Sequence, residues 1–168
     1  MKKILNLISP AFIFVLFIFV GYFVGGTNQT HSINIDKLTS ISSLRTLFTI
    51  FGRNSLAFIL LLTTLVFGQL IILAFFISNG FIIGLTCSKL TRLETSVLLL
   101  PHGVFEFGAF FYLSYAIIFK LSKTKNSTLN IKSLHLKKHI GFSYGLLFFA
   151  AILESFLTPY LSKLILGK

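Results

Sequence analysis

The sequence predicts an all-α fold, a polytopic bundle of about five transmembrane helices, on three observations. Hydrophobic residues make up 55% of the chain and charged residues only 11%, against about 25% charged in soluble domains. Mean hydropathy is +0.91. The apolar residues also fall in runs long enough to cross a bilayer, separated by short polar stretches. The 168 residues read as a single membrane domain, residues 1–168, with an anchor helix over about 7–26, an amphipathic loop over 27–53 and a core over 54–161.

Taking the elements in order, Lys2 and Lys3 precede the apolar run Leu7 to Gly26, which is long enough to span a hydrocarbon core of about 30 Å. It exceeds a usual secretory signal core and lacks an Ala-x-Ala-like cleavage site, so it is expected to be an uncleaved anchor with a cytoplasmic N-terminus. Gly21 and Gly25 form a GxxxG pair, a close-approach face for a second helix. From Thr27 to Arg53 the chain turns polar. Ile33, Leu38, Ile41, Leu44, Leu47, Phe48 and Phe51 nevertheless recur at near-helical spacing, which fits an interfacial amphipathic helix or a linker capping the bundle.

Ser55 to Ser88 is apolar almost throughout and would be about 50 Å long as one straight helix, more than a single crossing needs. The expected break is Asn79-Gly80, where both residues tolerate the left-handed conformation. It would leave either a re-entrant half-helix or two short crossings. Gly84 completes a GxxxG pair with Gly80. A polar patch, Lys89 to Ser96, then leads into a helix from about Leu98 to Phe119, with Pro101 in an early turn, where its missing N–H costs little. The last apolar run, Ile140 to Leu161, opens with Gly141 and Gly145, carries Glu154 and meets Pro159 near its end.

The formal charge of +11 is the footprint expected of a phosphate-binding surface, but its distribution favours a membrane surface over nucleic acid. Lys120, Lys123, Lys125, Lys132, Lys137 and Lys138, six of the 15 basic residues, lie between two apolar runs, where they set orientation and meet anionic lipid headgroups. Five crossings with the N-terminus inside place those six with Lys2 and Lys3, eight basic residues against seven. Four crossings give six against nine, contrary to the positive-inside rule. Five crossings of a membrane are therefore expected. Cys87 is the one cysteine, which excludes an intramolecular disulfide and any multi-cysteine zinc site.

The candidate chemistry sits in Leu100-Pro101-His102-Gly103-Val104-Phe105-Glu106. His102 and Glu106, four residues apart, share one helix face. Glu154 and Thr158 have the same spacing in the last apolar run. An acid near the bilayer centre costs about 2.5–3.5 kcal/mol on insertion scales, so it is retained when the bundle interior uses it. Packing of the two helices would gather His102, Glu106, Glu154 and Thr158 into one intramembrane cluster, with Asn54 and Asn79 as further polar members. Such a cluster can serve as hydrogen-bonding glue, as a proton or ion path, or as part of a metal-dependent site. Gly80, Gly84, Pro101, Gly103 and Pro159 are assigned to packing and turns. No His-Glu-x-x-His or Gly-x-x-x-x-Gly-Lys-Ser/Thr motif is present, so neither a zinc-protease pair nor a phosphate-cradling loop is encoded. No metal or cofactor is assigned.

Asn54 at the head of a long apolar run, Asn79-Gly80 with Gly84, Pro-His-Gly-x-x-Glu over Pro101 to Glu106 and Glu-x-Phe-x-Thr-Pro over Glu154 to Pro159 together resemble the stage II sporulation protein M family. The resemblance implies a helical polytopic membrane protein. It further implies a non-catalytic scaffold that recruits partners such as peptidoglycan hydrolases, as a homo-oligomer or in a hetero-complex. The alternative it implies is a membrane subunit working with a separate ABC-type ATPase in peptide (bacteriocin) export or immunity, and a proton- or metal-dependent transporter or enzyme is the third reading. Phe107, Phe110, Phe111, Tyr112 and Tyr115 stand where smaller residues are typical of the family, which predicts looser packing along that helix.

Overall fold

A computed structural model describes residues 10–26, 43–123 and 134–166, and these are helical almost throughout, with no strand among them. The helices are α1 (Pro10–Gly25), α2 (Ser43–Leu62), the short α3 (Thr64–Phe67), α4 (Leu70–Cys87), α5 (Arg92–Lys123), α6 (Leu134–Ile152) and α7 (Thr158–Leu166). A π-helical turn, Leu153–Leu157, joins α6 to α7. Four stretches, Leu44–Phe67, Leu70–Cys87, Arg92–Phe119 and Leu136–Ile165, are long and apolar enough to cross a membrane, and α1 is a shorter apolar helix.

The break in the long apolar run does not fall at Asn79-Gly80. Both residues lie inside the continuous α4, where the Asn79 side-chain amide donates to the Phe75 carbonyl at 2.8 Å and so stays on the helix surface instead of capping a turn. The chain turns earlier, between α3 and α4, at Gly68, whose φ of +92° is open to glycine at little cost. Ahead of it Thr63 loosens the helix, its hydroxyl donating to the Leu60 carbonyl at 2.6 Å. The result is two stretches, Leu44–Phe67 and Leu70–Cys87, each long and apolar enough to cross a membrane, with no re-entrant half-helix among the described residues. The polar stretch 27–53 is also divided differently, since α2 starts at Ser43 and runs through Arg53–Asn54 without interruption. Residues 27–42 lie outside the described set.

α5 starts six residues before the expected Leu98, because Thr91 and Glu94 form a capping box. The Thr91 hydroxyl accepts from the Glu94 N–H at 3.2 Å, and the Glu94 carboxylate accepts from the Thr91 N–H at 3.0 Å. Pro101 is consequently interior to α5, where it leaves the Val97 carbonyl without its usual donor.

Glycines set the closest contact in the fold. A Cβ on Gly84 would strike the Ile18 carbonyl oxygen, one on Gly80 the Phe14 carbonyl oxygen, one on Gly21 the Phe81 carbonyl oxygen and one on Gly25 the Ser88 side chain. Phe14 thus meets Gly80 while Gly25 meets Ser88, so α1 and α4 run parallel. Gly141 and Gly145 meet nothing within 4 Å. Because the loop from Ser88 to Thr91 reverses the chain into α5, the lysine-bearing end of α5 lies at the end where α1 starts, the placement a five-crossing arrangement requires. Lys120 and Lys123 lie in the last turn of α5, Lys137 and Lys138 are exposed near the start of α6, and Lys125 and Lys132 fall outside the described residues.

The expected loose packing along α5 does not occur. Phe110 is buried, Phe111 stacks on Phe76 with ring centroids 4.7 Å apart, and Phe107 lies against Phe14 at 4.6 Å. These rings fill the space between α5 and the α1–α4 pair. The other flank of α5 meets α6 through Ala109, Ser114, Ser143, Ala150 and Ala151, all buried, small residues that let two backbones approach where lipid supplies no hydrophobic drive. Two polar bonds add to the α6 contacts: Tyr112 to His139 Nδ1 at 2.6 Å, and Ser55 to Tyr144 at 3.1 Å.

Candidate functional site

Three elements converge on one polar cluster. α5 contributes His102 and Glu106 from successive turns of one face, the π-helical turn contributes Glu154, and α7 contributes Thr158. One ligand-type atom from each of His102, Glu106 and Glu154 lies within 4.8 Å of the others. His102 is buried, 8% exposed. Its Nε2 faces Glu154 Oε2 at 3.8 Å, and its Nδ1 faces Thr158 Oγ1 at 3.5 Å. Neither distance is that of a strong hydrogen bond. The groups face one another across a gap that they do not close themselves.

The π-helical turn has a local cause. Pro159 has no N–H for the carbonyls one turn back, and in a regular α-helix its ring would collide with the carbonyl of Ser155. Widening the turn relieves that collision and leaves Glu154 on the inner side of a bulge, a backbone form found preferentially at functional sites. Thr158 bonds back to the Leu153 carbonyl at 3.4 Å, while the buried Ser155 hydroxyl has no partner among the described residues.

Asn54, on α2, lies beside Glu106, although its buried Nδ2 has no hydrogen-bond partner of good geometry among the described residues. Asn79 does not join the cluster. It stands across a cavity of about 420 Å³ whose lining includes both Asn79 on α4 and His102 and Glu106 on α5. Gly103 has room around it, with only Phe107 near a notional Cβ, at 3.9 Å, so no close packing requires a glycine there. Gly80 and Gly84 belong to the α1–α4 contact, away from the acids.

Sequence reasoning missed Arg53. Its guanidinium is close enough to act electrostatically on both Glu106 and Glu154, so α2 brings a fixed positive charge and an amide from adjacent positions to the same pair of acids. The signal was present as a polar pair, Arg53-Asn54, preceding the apolar residues of α2. Arg53 closes the polar stretch read as an interfacial amphipathic helix or capping linker, and in the structure it lies within α2. Chemically, an imidazole, two carboxyl groups, a hydroxyl and a nearby guanidinium can hold a cation, share a proton or cross-link helices.

Comparison with known proteins bears on the whole chain. No curated protein and no solved structure matches it. A family model described as Stage II sporulation protein M matches residues 11–159, a span that takes in α1, the α1–α4 crossing and every member of the polar cluster. That family is a family of sporulation membrane proteins and is not known as an enzyme family. On that match, the chain belongs to the stage II sporulation protein M family.

Proposed function

We propose that this protein is a non-catalytic scaffold of the bacterial cell membrane, a multi-pass bundle that recruits cell-envelope proteins such as peptidoglycan hydrolases. The observation that carries the reading is the direction in which polar side chains point. His102, Glu106, Glu154 and Thr158 turn toward one another where α5 meets the α6–α7 segment, with Asn54 of α2 beside Glu106, while the outer faces carry large apolar residues such as Phe12, Phe19, Phe23, Phe142, Phe148 and Tyr160. The turns at Gly68–Gln69 and Ser88–Thr91 are short and leave no room there for a soluble catalytic unit. Family membership supports the same reading.

Affinity purification of the full chain from detergent-solubilised native membranes tests it. Co-recovery of a cell-wall hydrolase is the expected result. Recovery of an ATP-binding subunit in its place would overturn the scaffold reading in favour of export.

A further inference from the structure

The geometry points to a divalent transition-metal site, of the zinc class, formed by His102 Nε2, Glu106 and Glu154 and open to the cavity between α4 and α5. The spacing carries the inference. Zinc lies about 2.0–2.2 Å from imidazole nitrogen and carboxylate oxygen, so two ligand atoms on one tetrahedral ion stand about 3.3–3.6 Å apart. His102 Nε2 and Glu154 Oε2 are 3.8 Å apart, and the Glu106 oxygen lies within 4.8 Å of both. The His102–Glu154 separation is too long for a direct hydrogen bond, and a small side-chain adjustment would bring the three groups onto a shared ion. Three protein ligands and one open position is the arrangement of zinc sites that keep an exchangeable ligand.

The donor set selects the class of ion. One imidazole with two carboxylates suits zinc and its first-row neighbours, whereas calcium takes six to eight oxygens and magnesium keeps most of its waters. The outer contacts also fit. Thr158 faces His102 Nδ1, the nitrogen left free when Nε2 binds metal, and Asn54 lies beside Glu106 with an unpartnered buried amide nitrogen. Metal ligands are commonly held in orientation by such neighbours. The cavity of about 420 Å³, lined by His102 and Glu106 together with Asn79 and Leu100, lies beside two of the three ligands.

The site does not depend on the scaffold reading, and its test needs no partner protein. The full chain, purified in detergent and stripped with chelator, is titrated with Co²⁺ as a probe. The expected result is about one ion per chain, with the visible absorption of a low-coordinate Co²⁺ site. Glu106→Gln and Glu154→Gln should each lower Co²⁺ affinity at least tenfold with helicity unchanged, and Glu94→Gln should not. Equal uptake by all variants, or none by the wild type, overturns the proposal. Should either Gln variant lose helicity, the decision passes to the stripped wild type, in which added Zn²⁺ should raise the melting temperature. The absence of such a shift overturns the proposal.

Discussion

Where α1 crosses α4, the contact depends on missing atoms: Gly21, Gly25, Gly80 and Gly84 leave space that the opposing backbone fills. Where α5 meets α2 and the α6–α7 segment, small residues share the interface with His102, Glu106, Glu154 and Thr158, which stand 3.5 Å or more from one another wherever a distance is fixed. Both regions face the same difficulty. Lipid is as apolar as the helices, so burial alone does not draw helices together, and association must come from close packing or from polar contact. The first region takes close packing and has no slack. The second takes polar contact and keeps a gap with a cavity beside it, so it can accept a ligand or a change of geometry that the glycine crossing cannot.

Substitutions can break that contrast or sharpen it. The largest effect is expected from Gly84→Leu, because the new side chain would strike the α1 backbone at Ile18 and Tyr22, where neither helix can yield. Overpacking of this kind costs about 3 kcal/mol, read as a fall in melting temperature in detergent. A tolerated leucine would show that α1 is not held by this contact. Glu154→Ala should cost less, about 1–3 kcal/mol, because it truncates a partly buried side chain that fills the space beside His102, and Glu154→Gln, which keeps that volume, should recover part of that loss in the same assay. A fall for Glu154→Ala as large as that for Gly84→Leu would erase the distinction between the two regions. Tyr112→Phe removes the bond to His139 and should cost about 0.6 kcal/mol, the average for a polar contact between membrane helices. Gly145→Ala, facing open space, should stay within about 0.5 kcal/mol of the wild type, which would confirm that a glycine matters here only where a helix crosses it.

The spans were legible in the sequence because a bilayer dictates the length and polarity of what crosses it. The internal punctuation was harder to read. Asn79-Gly80 has the composition of a turn, but the Asn79 side chain found an acceptor within its own helix and Gly80 was required by α1. Only tertiary contact could reveal either fact. The true turn, Gly68, sits among Val66, Phe67 and Gln69 without the usual turn companions. The capping box at Thr91 and Glu94 could have been read from its spacing, and it would have placed Pro101 inside α5. His102, Glu106 and Glu154 stood out because acids in apolar runs are rare. The bulge that presents Glu154 left only Pro159 as a trace.

The π-helical turn also sets the rotational phase of everything after it. Each residue in an α-helix advances the chain by about 100° around its axis, and a π-turn takes one more residue to come round, so rewinding Leu153–Leu157 as ordinary α-helix without removing a residue would swing Thr158 and the buried Ser162 off the inner face. The C-terminal segment is therefore indexed to a backbone irregularity rather than to its own side chains. Near Glu154, residue count and winding are therefore coupled: a residue taken out together with the wide turn leaves the C-terminal segment in phase, and an added one does not.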